Sequence, residues 1–199
     1  VFITDSFVSR KDRIIASAIE IISDSGLSAL TTKNLAQKEN MSEALLYKYF
    51  GGIDEVLVGV VEFYSKFDEQ IRHTIKGKTG SSIEKLHDYF EAYATYYDNY
   101  YAISTLMLQY EELLHNIDTR DKMAWCISER ISFVSDLFES AIRDKEIVDT
   151  FTSEELANMA SGVTMSYILS RRIKYHKKTF KQEIMDNLNK WLKSLKYQE

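Results

Sequence analysis

Apolar residues recur every three to four positions along most of this chain, with polar residues on the opposite faces, which is the period of amphipathic helices. Ile14, Ala18, Ile21 and Ile22 share one face of a first helix, and Gly26 supplies its stop. Thr31 is placed to cap a short helix containing Leu35 and Ala36. Asn40 falls at the turn that follows, because Asn tolerates the left-handed conformation best after Gly. Ser42 caps the next helix, expected to run through Tyr49 before Gly51-Gly52 break it. Asp54 and Glu55 sit where a helix N-terminus favours acids, and Leu57, Val60, Val61, Tyr64, Phe67 and Ile71 carry that helix to about residue 75. GKTGSS (77–82) reads as a linker.

The following helix has two apolar stripes. One is Ile83, Leu86, Phe90, Ala94, Tyr97 and Tyr101; the other is Tyr89, Tyr93, Tyr96 and Tyr100. Further helices are predicted over about 103–115, 121–145 (Ile127, Ile131, Val134, Phe138, Ala141), from Thr152 or Ser153 onward (Leu156, Met159, Ala160, Val163, Tyr167), and 180–195 (Ile184, Leu188, Trp191, Leu195). Strand-like alternation and internal repeats are missing. The pattern predicts an all-α chain of about nine helices.

Composition sharpens this picture. Across 199 residues there is no proline and only seven glycines, so long uninterrupted helices are allowed. Hydrophobic residues make up 45%, enough to bury a core. No stretch is apolar for long enough to span a bilayer, and the start lacks the basic-then-apolar order of a leader. The single cysteine, Cys126, excludes an internal disulfide framework and fits a reducing cytoplasm. The net charge of −5 hides a gradient: residues 1–50 hold six basic and six acidic side chains, 51–170 ten against twenty-one, and 171–199 nine against three. An acidic middle repels phosphate, so any contact with a nucleic acid must be confined to one end.

Residues 31–50, TTKNLAQKENMSEALLYKYF, are the pattern of a helix-turn-helix, two short helices about a tight turn. With Gly26, Thr31, Leu35-Ala36, Met41-Ser42, Leu46-Tyr47 and Tyr49-Phe50 at their spacings, the stretch from about 13 to 61 resembles the tetracycline-repressor (TetR) family of bacterial transcription regulators. The resemblance implies an N-terminal helix-turn-helix DNA-binding domain over 1–51 and a helical effector-binding and dimerisation domain over 52–199. It also implies a cytoplasmic homodimeric repressor that binds double-stranded DNA at a pseudo-palindromic operator and responds to a small-molecule effector. Leu35, Ala36, Met41, Leu46 and Phe50 are expected to fix the angle between the two helices. Lys33 resembles the family's phosphate contact, with Thr32 beside it at a helix N-terminus suited to an anion. Ser42, Glu43, Ala44 and Leu45 open the recognition helix toward base edges, Tyr47 and Tyr49 match backbone-contacting positions, and Lys48 is the charged contact. The pattern is not kept everywhere: Glu39-Asn40 replace the usual Ala-Gly, Leu45 stands where a small polar residue is usual, and Ile53 where a Lys is common. The same twenty residues also fit a plain helical hairpin in which Tyr47 and Tyr49 pack.

The tyrosine-rich helix carries a second question. One apolar stripe suffices to pack a helix; a second needs a further partner. In the resembled family this region encloses the effector, which makes Tyr89, Tyr93, Tyr96, Tyr97, Tyr100 and Tyr110 candidate ligand residues, with Glu111 beside them; core packing is the alternative. Rings and a carboxylate at Glu111 or Glu112 also fit a lipophilic cation. Small residues of NMASGVTMS (158–166) permit close helix approach, and the resemblance puts the last two helices in a dimer interface, here Met159, Gly162, Val163, Leu188, Trp191 and Leu195. Two Glu-x-x-His pairs, Glu84/His87 and Glu112/His115, recur in di-iron bundles but lack the two extra glutamate helices, so no metal site is expected. No phosphate loop or nucleophile motif is present, so neither catalytic residues nor a cofactor are expected. The rival reading is a helical ligand- or metal-binding enzyme without a DNA function.

Overall fold

The computed structural model of the protein describes residues 9–196. Residues 1–8, where the expected first domain and the segment read for a leader begin, and residues 197–199, where the expected second domain ends, lie outside the described residues. The described chain is all α-helical: α1 Arg10–Ser25, α2 Thr32–Lys38, α3 Glu43–Leu46, α4 Ile53–Lys76, α5 Ser82–Asn99, α6 Tyr101–Thr105, α7 Tyr110–His115, α8 Arg120–Arg143, α9 Ser153–Ile173 and α10 Phe180–Ser194. Extended pairing among the described residues is limited to one isolated bridge between Ile147 and Lys196.

Local chemistry explains most boundaries. Side chains of Ser9, Ser81, Thr152 and Thr179 each accept the third backbone N–H of the following helix, and Asp12, Glu84, Glu155 and Gln182 reach back to close the capping box. Thr31 and Ser42 cap α2 and α3 in the same way without the return bond. Asn40 adopts a left-handed φ of 50°, the conformation the turn requires.

Two expectations are corrected. The helix expected through Tyr49 is regular only to Leu46; beyond it, Lys48 and Tyr49 donate to carbonyls three residues back, and the chain tightens into turns. The helix expected over 103–115 is split by a 3₁₀ segment, Leu106–Gln109, into α6 and α7. Thr105 donates its hydroxyl to the Ala102 carbonyl at 2.7 Å, a local bond that competes with the helical ladder, while Leu106 and Met107 turn inward and are buried. This split is what makes ten helical segments of an expected nine or so.

The chain divides into two compact units. The first comprises residues up to 66 and 102–124. Its core holds Ile14, Ile15, Ala18 and Ile22 of α1, Leu35 and Ala36 of α2, Leu46 of α3, Phe50, and Val56, Val60 and Val61 of α4. Gly59 lets α1 and α4 approach closely: a Cβ there would stand 2.6 Å from Ile15 Cδ1. The second unit comprises residues 67–101 and 125–199. Within it α10 lies on α5, with Phe180 5.9 Å from Tyr97 between ring centroids. Distant carboxylates cap both helices: Asp98 accepts the backbone N–H groups of Phe180 and Lys181, each at 2.8 Å, and Glu146 accepts those of Ser82 and Ile83 at 2.9 and 3.1 Å.

Candidate nucleic-acid interface and ligand region

The helix-turn-helix is held by a small core and one half-buried acid. Leu35 is fully buried, as are Ala36, Leu46 and Phe50, and Met41 is half-buried. Glu39 accepts the Ser17 hydroxyl at 2.5 Å and lies 4.0 Å from Arg10 and 3.9 Å from Arg13. The acid that departs from the usual small turn residue thus ties the turn to α1. Lys11 stands 5.0 Å over the Phe50 ring.

Outside this core, Lys33, Ser42, Glu43, Ala44, Leu45, Tyr47 and Lys48 are exposed, while Thr32 and Tyr49 are half-buried. Tyr47 at 53% and Leu45 at 36% are large apolar bodies left to solvent at the end of a helix whose other side is packed. Neither takes part in the small core that holds the helix-turn-helix. Thr32 donates its hydroxyl to the Glu43 carboxylate at 2.6 Å, so two of the expected DNA contacts already bond each other across the turn.

In the second unit the two stripes of α5 are both buried along most of their length. Leu86, Phe90, Ala94 and Tyr97 of one, and Tyr89, Tyr93 and Tyr96 of the other, are inside; Tyr100 and Tyr101 are exposed. Tyr89 and Tyr93 have centroids 4.8 Å apart, Tyr89 and Phe133 5.1 Å, and Tyr96 stacks on Phe67 at 3.6 Å. The hydroxyls of Tyr89, Tyr93 and Tyr96 are buried without a hydrogen-bond partner among the described residues, which costs about 1–3 kcal/mol each when unanswered. Burial pushes the phenols of Tyr89 and Tyr96 well above the ordinary range. Tyr110 and Glu111 belong to the first unit: Tyr110 shares a hydrogen bond with the Tyr64 hydroxyl, and Glu111 is exposed, 3.7 Å from His115. Glu112 is likewise exposed in that unit.

Pattern reading missed the charged groups here. Asp68 and Arg72 of α4 are buried and Arg130 of α8 is half-buried, and Arg130 donates to Asp68 Oδ1 through Nε at 2.9 Å and Nη2 at 2.8 Å. The signal was available: Asp68 and Arg72 fall among Phe67, Ile71 and Ile75 on the apolar face of α4, where an unpartnered charge is not tolerated.

Of the six residues expected in a dimer interface, Met159, Gly162 and Val163 are exposed on α9. Trp191 is half-buried against Phe138, 5.6 Å between centroids, and Leu188 and Leu195 are buried within the subunit. Val163, Leu188 and Trp191 join Phe90, Ala160 and Ile184 around an apolar groove of about 150 Å³. Among the described residues His87, Asp88 and Glu91 bring potential metal-ligand atoms within 4.8 Å of one another. Lys78 bonds Asp88 at 2.5 Å and Lys181 bonds Glu91 at 2.8 Å; these hydrogen bonds hold both carboxyls below their usual range. Glu84 is taken up in its capping box. No described helix is long and apolar enough to cross a membrane.

Comparison with known proteins accords with this geometry. The family model described as bacterial regulatory proteins, tetR family, matches residues 14–60. No curated protein matches the chain. Among solved structures, the ketosteroid transcriptional regulator KstR2 of Mycobacterium tuberculosis is similar with a TM-score of 0.84 at 14% identity, covering 96% of each chain. The fatty acid degradation regulator FadR from Bacillus halodurans is similar at 0.75 and 17%, over 96% of this chain and 99% of its own. FadR from Bacillus subtilis, solved in complex with stearoyl-CoA, is similar at 0.70 and 18%, over 88% and 96%. Residues 14–60, which hold the helix-turn-helix, thus match the model of the tetR family of bacterial regulatory proteins, and the chain shares its all-α fold with these structures along most of its length.

Proposed function

We propose that the protein is a ligand-responsive transcriptional repressor that acts as a cytoplasmic homodimer on a pseudo-palindromic operator, and not as a catalyst. The observation that carries this is the outer side of α3 and the turn that follows it, where Leu45, Tyr47 and Lys48 are exposed on a segment whose inner side is fixed by Leu46 and Phe50. Two such helices, spaced by the dimer, enter successive major grooves. Ser42, Glu43, Ala44 and Leu45 face bases, and Thr32, Lys33, Tyr47, Lys48 and Tyr49 contact the backbone. The functional division falls at 51/52. Dimerisation is supported by exposed Met159 and Val163 beside the apolar groove of α9 and α10.

Tyr89, Tyr93, Tyr96, Tyr97 and Tyr100 form the effector region, and a fold-mate solved with stearoyl-CoA supports a small-molecule effector in this fold. Coupling to the reading helices has a covalent route: α4 begins at Ile53, directly after the helix-turn-helix, and its chain passes from the first compact unit into the second at Phe67. An effector that displaces α4 at its N-terminus near Asp54 alters the spacing of the recognition helices and releases the operator. Linkage then requires that the operator weaken effector binding by the same factor.

The test is selection of bound fragments from a random DNA pool at fixed salt, run beside a Tyr47→Ala, Lys48→Ala double variant. A two-fold-symmetric motif enriched by the parent and lost by the variant is expected. Absence of enrichment even at low salt, where phosphate contacts are strongest, would reduce the helix-turn-helix to a packing hairpin.

A further inference from the structure

The charged groups that act on Tyr89 and Tyr93 include Arg130 of α8 and Asp68 and Arg72 of α4. Arg130 stacks its guanidinium 5.0 Å from the Tyr93 ring centre. Arg72 lies 5.7 Å from the Trp125 ring, and Lys76 5.7 Å from that of Phe133, which itself touches Tyr89. Of these cations Arg72 is buried, Arg130 half-buried and Lys76 exposed to water; the carboxylate that is fully inside beside them is Asp68, with 1% of its side chain exposed. Glu129 is 3.7 Å from Arg72 Nη1, but its side chain is 48% exposed, so water screens it. Two guanidiniums thus share a single buried acid. The acid is held mainly by Arg130, while Arg72 Nη2 stands 3.4 Å from Asp68 Oδ2.

The polar atoms left over tell the same story. Arg72 Nη1 is buried without a hydrogen-bond acceptor, as are the three hydroxyls of Tyr89, Tyr93 and Tyr96 without any partner. Asp68 Oδ2 is the one buried acceptor left open among these residues. A guanidinium N–H can only donate, and a phenol donates readily where an acceptor is offered. The cluster therefore holds one donor-only guanidinium N–H group and three hydroxyls free to donate, against a single open carboxylate oxygen. Arg130, Asp68 and Arg72 are all near enough to act on the Tyr89 phenol, whose own ionisation burial opposes, so that group stays a donor.

We infer that the effector region takes an organic anion: an aromatic or aliphatic body against the rings of Tyr89, Tyr93 and Phe133, and a carboxylate, phosphate or sulfonate head bonded by Arg72 and the tyrosyl hydroxyls. This rests on the reading of the tyrosine region as the effector site and specifies its charge, opposite to that of the lipophilic cation the rings alone allow. Arg130 is a positioning residue: through Asp68 it fixes the acid that Arg72 would otherwise need, leaving Arg72 Nη1 for the ligand.

The test uses the full-length protein and two dyes with closely related aromatic bodies, anilinonaphthalene sulfonate and the uncharged phenylnaphthylamine. The sulfonate is expected to saturate one site per subunit, at least about tenfold tighter than the uncharged dye, the size of a charge-assisted hydrogen bond. Arg72→Gln keeps Asp68 on Arg130 and is expected to lower sulfonate affinity about tenfold. The triple variant Tyr89→Phe, Tyr93→Phe, Tyr96→Phe is expected to do the same while leaving the uncharged dye unaffected. It deletes hydroxyls the fold leaves unanswered, so its melting temperature is expected to be no lower than the parent's. Equal affinity for the two dyes, absence of saturable binding, or unchanged sulfonate affinity in both variants overturns the anion site. All of this is read on free protein. Charge-selective binding that leaves operator affinity untouched would support the anion site and sink the effector reading, whereas dyes that bind alike to a protein with intact operator binding would sink the anion site alone.

Discussion

The helix-turn-helix and the tyrosine cluster handle polar groups in opposite ways. Around α3 the polar side chains stand in water or answer one another: Ser42 caps, Thr32 bonds Glu43, and Tyr47 and Lys48 are exposed. Around α5 the polar groups are buried, and several have no partner. The first arrangement costs the fold little, because each group keeps water or a bond. The second is a standing cost held against the 5–15 kcal/mol or so of a typical domain. A surface made to meet another macromolecule can be decorated without disturbing the core, whereas an enclosed region cannot be polar without penalty.

Mutations can break or sharpen that contrast. The largest effect is expected of Asp68→Ala, which leaves Arg72 and Arg130 without their buried acid; unfolding by denaturant should lose about 3–5 kcal/mol. A loss under about 1 kcal/mol would mean that the network is not a structural charge balance. Leu35→Ala comes next, at about 2–4 kcal/mol, because Leu35 is fully buried in a core too small to collapse around the gap. It should abolish operator binding through the angle between α2 and α3. Tyr47→Ala is expected to leave the melting temperature unchanged and to weaken binding on every DNA sequence by about 1 kcal/mol, some fivefold, as lost backbone contacts do. The smallest effect in total affinity belongs to Glu43→Gln, which should instead change which base is preferred at one position of each half-site, measured by competition between variant operators. If Tyr47→Ala and Glu43→Gln alter sequence preference alike, the division between positioning and reading residues is wrong.

The same contrast explains what was legible beforehand. Caps are local, so Thr31, Ser42 and Thr152 were readable from a hydroxyl ahead of a helical pattern, and Asn40 from its place between two short helices. The all-α architecture followed from a period that needs no knowledge of neighbours. The interruption at 106–109 did not, because it depends on Leu106 and Met107 finding a core that the local pattern does not reveal. The Asp68–Arg130 pair joins residues 62 positions apart, beyond what a single helix face can announce. The two stripes of α5 raised the need for a second partner correctly, but the guanidiniums that face one of them lie on other helices, α4 and α8. Exposure within α3 was equally hidden: periodicity separates Leu46 from Leu45, yet cannot say that Leu45 is left outside.

The bond between Thr32 and Glu43 has a consequence for how such a protein finds its site. The proposed reading head carries a carboxylate, in an N-terminal stretch with six basic against six acidic residues, and on that reading gains little from phosphate attraction alone. It should leave random DNA quickly, sliding over short distances and returning often to free diffusion. Fewer molecules are then stored on the rest of the chromosome. For the proposed repressor, a small number of copies would then keep an operator occupied, and a modest fall in affinity would clear it.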